Sequence, residues 1–122
     1  SRGWPWSIRD DTVKRGYALR TRGEAARAAI GLMHAGHTVD LGLMQVNSKN
    51  LAWLGLRVDQ AFDPCTNIAA GGRILTEDYV SAARLYGPGQ LALYHAFEAY
   101  NSGKMDGAAK YARLVWRAAT GS

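Results

Sequence analysis

Asp63-Pro64 is the step that most narrows what this chain can become. A carboxylate able to accept from free first-turn amides stands directly before a proline, whose missing N–H costs nothing at the first helical position. Ile68, Gly72, Leu75, Tyr79, Ala82 and Tyr86 then follow at alternating steps of four and three, one face of a long helix. Gly87-Pro88-Gly89 breaks it. Leu91, Tyr94 and Phe97 predict another helix up to Tyr100-Asn101, stopped at Gly103, and Tyr111, Ala112, Val115 and Trp116 a last one.

The first half is less regular. Thr21-Arg22-Gly23-Glu24 has the spacing of a capping box, so an alanine-rich helix should run to about His34 and stop at Gly36. Ser48 can cap a short helix carrying Leu51, Trp53 and Leu54, ended by Gly55. Residues 1–20 lack a helical period, and an irregular hairpin is expected there, with Asp10-Asp11 at its turn and Ile8 and Val13 on its arms. The fold class that results is mostly α (α+β), with a small irregular or β flap, in a single domain over residues 1–122.

Composition bounds the partners. Charged residues at 20% are too few for a disordered tail, and 48% hydrophobic content supports a core. No apolar run is long enough to span a membrane. The net charge of +5 suits polyanions in general: nucleic acid, anionic lipid or a carboxylate-rich cell wall. The charge is scattered and no recognition motif accompanies it, so no nucleic-acid partner is expected. His34, His37 and His95 lack a partner at metal-ligand spacing, so neither a metal nor a cofactor is expected. Cys65, the single cysteine, is either a small buried residue or a half-cystine whose partner lies outside these residues.

Three segments are unusual for a plain helical core. Asp40-Leu41-Gly42-Leu43-Met44-Gln45-Val46-Asn47 interleaves amides with apolar residues beside a glycine that permits close backbone approach to a ligand. Its plain alternative is a helix start with Gln45 and Asn47 facing water. Ala99-Tyr100-Asn101-Ser102-Gly103 is either a helix C-cap or a phenol and an amide aimed into a cleft. Trp4-Pro5-Trp6 is either an exposed aromatic platform suited to sugar faces or a cover for the core.

Together these segments resemble the soluble lytic transglycosylases, most closely the VirB1-like branch associated with type IV secretion and conjugation. Ser1…Pro5…Ile8, then Asp40-Leu41-Gly42-Leu43-Met44-Gln45-Val46-Asn47, then Phe62-Asp63-Pro64-Cys65-Thr66-Asn67, then Tyr100-Asn101-Ser102-Gly103 are similar to four motifs of that branch in the same order. The resemblance implies a lysozyme-like fold. It implies cleavage of the β-1,4 bond between N-acetylmuramic acid and N-acetylglucosamine, with a 1,6-anhydro ring formed in place of water addition.

One protonated glutamate would serve as acid and then as base, so a second carboxylate is not required. In the family that glutamate directly precedes the serine matching Ser1. The resemblance therefore implies a catalytic acid and leading helix upstream of these residues, and an N-terminally truncated domain that is inactive alone. Glu24, Glu77 and Glu98 are not expected to replace the acid.

Among the residues present, the resemblance assigns Tyr100 a supporting role beside the acid. Ser1, Leu43, Met44, Gln45, Asn47 and Asn101 become substrate-binding positions, with Leu43 and Met44 as apolar walls and the amides of Gln45 and Asn47 on acetamido groups. Cys65 would pair with a cysteine of the leading helix, which suits an oxidising periplasm. The implied partners are peptidoglycan strands, type IV secretion components, and either the upstream segment or a second copy of the chain. The competing reading is a non-catalytic peptidoglycan-binding or assembly module.

Overall fold

The computed structural model describes residues 3–102, with side chains to residue 100. Ser1, Gly103 and the last helix expected around Tyr111–Trp116 lie outside them. By internal contacts the chain divides into two compact units, one ending at Gly71 and the next starting at Gly72.

The first unit is built around a four-stranded antiparallel sheet in the order β2-β1-β3-β4. Its strands are β1 (Ser7–Asp10), β2 (Arg15–Ala18), β3 (Val39–Leu41) and β4 (Val46–Asn47). Helix α1 (Arg22–His34) lies between β2 and β3, and α2 (Leu51–Leu54) and α3 (Val58–Ala61) follow the sheet. Ala25, Ala26 and Ala29 of α1 are buried, and their small size lets the helix come close to β1, β3 and α3. Ile8, Val39, Leu41, Val46, Ala61 and Phe62 complete this core, each 0–1% exposed. Burying side chains of this size is worth about 1.5–3 kcal/mol each for the larger ones.

Several expectations need correction. Val13 is not on a hairpin arm but in the turn: Ile8 pairs with Tyr17, and Asp10 accepts from the Thr12 and Val13 backbone N–H groups, which reverses the chain over residues 11–14. Residues 40–47 do not start a helix; they form β3, a turn and β4. Ser48 does not cap the helix carrying Leu51, Trp53 and Leu54: α2 has Asn50 at its N-cap position with no side-chain capping bond, and Asn47 caps the preceding 3-10 turn Ser48–Asn50 by accepting from the Lys49 N–H. The Ser48 hydroxyl instead accepts from the Val39 N–H.

The α1 start is as expected, with the Thr21 hydroxyl accepting from the Glu24 N–H at 3.1 Å. Gly55 closes α2 in the left-handed conformation, φ 70°.

Helix α4 (Pro64–Tyr86) starts where Asp63-Pro64 predicts. The Asp63 carboxylate accepts from the Thr66 N–H at 3.0 Å and from its hydroxyl at 2.9 Å, and these bonds hold its pKa below the usual carboxylate value. The buried face of α4 follows the one that the spacing suggests only in part, at Ala82 and with Leu75 and Tyr79 half-buried. It passes through Asn67, Ala70, Ile74 and Ala82, while Ile68 is 53% exposed. Near the start of α4 the inner position is taken by Asn67, whose amide bonds the Leu41 and Ala61 carbonyls, and the adjacent Ile68 faces out.

In the second unit α5 (Gln90–Ser102) follows the glycine-proline turn. The Tyr79 hydroxyl accepts from the Gly89 N–H at 2.9 Å, and Tyr86 stacks on His95 with centroids 4.1 Å apart. Among the described residues no helix is long and apolar enough to cross a membrane.

Candidate functional site

The turn between β3 and β4, Gly42-Leu43-Met44-Gln45, is held from three sides. From beneath comes Asn67, which is completely buried. Its Nδ2 donates to the carbonyl oxygens of Leu41 and Ala61, both at 2.8 Å, and its Oδ1 accepts from the Met44 N–H at 2.7 Å. One side chain thus satisfies three backbone groups from the strand end, the turn and α3.

From β1 comes Ser7, also completely buried. Its carbonyl accepts from the Gly42 N–H at 2.9 Å, and its hydroxyl accepts from Gln45 Nε2 at 3.2 Å. From within the turn, Gln45 Nε2 donates to the Gly42 carbonyl at 2.7 Å.

This arrangement explains two unusual backbone conformations. Gly42 has φ +75°, and a Cβ added there would lie 2.5 Å from Asn67 Nδ2. Glycine is needed because a side-chain amide fills the space above it, and that amide belongs to the protein itself. Gln45 has φ 51°, a left-handed conformation that costs a non-glycine residue roughly 1–2 kcal/mol. Its two amide hydrogen bonds offset that strain. Leu43 and Met44, at the tip, stay half-buried.

A second group of polar side chains lies one residue behind the turn. Asn47 Nδ2 donates to Asp40 Oδ1 at 2.9 Å and to Asp11 Oδ2 at 3.3 Å. Asp40 pairs with Asn47 across β3–β4 and with Arg9 across β1–β3. Burial, followed by the hydrogen-bonding proximity of the Asp11 carboxyl, pushes the Asp40 pKa up to about 7. At the far end of the sheet Asp10, also fully buried, meets His37 Nδ1 at 2.5 Å. Burial works against the Asp10 charge, but the His37 bond and the Thr12 and Val13 amides outweigh it and hold its pKa below the ordinary value.

Of the positions singled out in the sequence, Leu43, Met44, Gln45 and Asn47 come together in the first unit. Tyr100 is half-buried on α5 in the second unit, and Asn101 falls in the same helix. Ser1 lies outside the described residues. Cys65 is a free, exposed thiol in the first turn of α4. Asn67, Ser7 and the Asp10–His37 pair were missed as site-forming residues. Asn67 had two sequence signals: it ends the Phe62–Asn67 motif, and asparagine is a poor helix former that here sits inside the first turns of a helix.

The transglycosylase SLT domain model matches residues 23–114 of this chain. The chain belongs to the SLT transglycosylase family. The lysozyme-like class, mostly helical with a small sheet, stands as the motifs implied. Protein virB1 of Agrobacterium fabrum is 33% identical over 103 residues, covering 84% of this chain and 42% of the relative. Type IV secretion system protein virB1 of Brucella suis is 40% identical over 88 residues, covering 71% and 37%. Invasion protein IagB of Salmonella typhimurium is 34% identical over 109 residues, covering 82% and 62%. The chain thus spans less than half the length of the virB1 relatives. No solved structure matches it. In this SLT domain the matched segment contains the Gly42–Gln45 turn, the Asp40–Asn47 pair and Asn67 whole.

Proposed function

We propose that this chain belongs to a lytic transglycosylase that cleaves the glycan strands of peptidoglycan and closes a 1,6-anhydro ring on the muramic acid product. The observation that carries the reading is the Gly42–Gln45 turn, held rigid by Asn67 and Ser7 inside a domain of the SLT family. A preorganised turn can receive a sugar without spending binding energy on ordering itself. Leu43 and Met44 offer apolar walls. Gln45 anchors the turn through its nitrogen and offers its carbonyl oxygen to an acetamido N–H. Asn47 is engaged by Asp40 and Asp11, so its contribution is to hold the base of the turn.

In this reading the proton donor is the glutamate that the resemblance implies ahead of Ser1. It gives its proton to the leaving oxygen and takes one from the C6 hydroxyl that attacks C1. In this reading Tyr100 keeps its supporting role to that glutamate, and Ser1 and Asn101 keep their roles as substrate-binding positions. The setting is the periplasm, where the enzyme opens the wall locally for a type IV secretion or conjugation apparatus. The virB1 names of its relatives support that setting.

The test is to digest purified peptidoglycan with residues 1–122 and with the same chain extended upstream, and to follow anhydro-muropeptides by mass spectrometry. The extended chain should release them, and residues 1–122 alone should fall short by the roughly 10²–10⁴-fold that a general acid supplies. Binding without release by either chain would instead favour a non-catalytic wall-binding module. Full activity of residues 1–122 would overturn the assignment of the acid and make Glu98 and Asp40 the first residues to substitute.

A further inference from the structure

Trp4 is 41% exposed, yet its ring is not loose. Its Nε1–H donates to the Leu19 carbonyl at 2.7 Å. It meets Trp6 at 5.4 Å between centroids with the planes at 87°, so the two rings do not stack and at least one face of Trp4 is left uncovered by its neighbour. The Leu19 N–H donates to the Trp6 carbonyl at 3.0 Å, which continues the β1–β2 ladder past the Ser7–Ala18 pair. Both tryptophans therefore sit at the Ser7 end of the sheet. That is also the end where the Gly42 N–H reaches the Ser7 carbonyl and Gln45 reaches its hydroxyl. β1 lies between the Trp4 contact on Leu19, on its β2 side, and the turn, on its β3 side.

The chemistry of the ring narrows what it can take. The only hydrogen-bonding group of the indole is already satisfied, so what remains to offer is a flat π surface. The ring also pays little conformational entropy on binding because it is already fixed. A pyranose in a β-linked glycan presents axial C–H groups on one face and hydrogen-bonding groups around its edge. An immobilised, exposed indole at the same end of the sheet as a turn that carries the Gln45 amide matches both.

We infer that Trp4 is a stacking subsite for one N-acetylhexosamine ring of a glycan whose next rings lie along the Gly42–Gln45 turn. This rests on the peptidoglycan reading above and adds a residue to it. Trp53 provides the internal control. It is 44% exposed and also hydrogen-bonded, through Nε1 to Asn50 Oδ1 at 2.8 Å, but it lies on α2, outside the hairpin and the turn.

Two measurements test the assignment with the N-acetylglucosamine tetramer as probe. In the unaltered chain, N-bromosuccinimide oxidation mapped by peptide mass spectrometry should slow at Trp4 when the tetramer is present and stay unchanged at Trp53. In titrations, Trp4→Ala should weaken tetramer binding about tenfold, Trp4→Phe should stay within about threefold, and Trp53→Ala should bind as the parent does. Tetramer binding by the parent with Trp4 unprotected and Trp4→Ala undiminished overturns the subsite alone. A parent chain that binds neither tetramer nor peptidoglycan overturns the subsite and the peptidoglycan reading together.

Discussion

The two ends of the small sheet are built on different chemistry. At the Ser7 end, the Gly42–Gln45 turn is held by an amide, a hydroxyl and a second amide, none of which titrates. Toward the Asp10 end, carboxylates dominate: Asp10 on His37, and Asp11 with Asp40 sharing the amide of Asn47. Neutral donors fix a shape at any pH. Paired carboxyls fix one that depends on protons. The turn that should meet substrate has the first kind of support, and the strands behind it have the second.

The largest effect expected from breaking this division is at Asn67. Asn67→Ala strands two carbonyls and one N–H in the interior, each worth about 1–3 kcal/mol when left unsatisfied. Chemical denaturation should show a loss of about 3 kcal/mol or more, equal at pH 5 and pH 8. Gly42→Ala comes next. It combines a left-handed backbone with a Cβ 2.5 Å from Asn67 Nδ2, and a loss of about 2 kcal/mol or more is expected in the same assay.

At the carboxylate cluster the sign depends on pH. Asp40 titrates near 3.8 when unfolded and is raised to about 7 when folded, so its protonated form is the one that folding favours. Its contribution is fully present below about pH 4 and is lost as pH rises toward 7. Asp40→Asn keeps an acceptor for Asn47 and removes the charge. It should therefore gain on the order of 1–2 kcal/mol at pH 8 and almost nothing at pH 4, read from thermal melts at both values. The smallest effect is Gln45→Ala, about 1 kcal/mol, because the strained backbone stays while two partly exposed bonds are lost.

The same contrast explains what the sequence made legible. Helix starts and stops were readable because they depend on local chemistry: the Thr21 cap, the Asp63-Pro64 start and the glycines after α2 and α4. The turn residues 43–45 were readable as a group because their pattern matches a family motif. The roles of Ser7 and of Asn67, although Asn67 ends the Phe62–Asn67 motif, were not, because their value comes from partners 38 and 23 residues away. The Asp10–His37 bond spans 27 residues and was hidden for the same reason. The strands β3 and β4 are too short to show alternation, so the motif over residues 40–47 marked a candidate site without showing its two strands and turn.

The central claim is that the neutral end of the sheet is the working end. Backbone amide shifts of the isotope-labelled chain, titrated with the N-acetylglucosamine tetramer, test it directly. Ser7 and Gly42 through Gln45 should move with saturable binding, while Asp10 through Thr12 and Thr38 stay in place. Shifts confined to Asp10, Asp11, Thr12 and Thr38, with the turn unmoved, would contradict it.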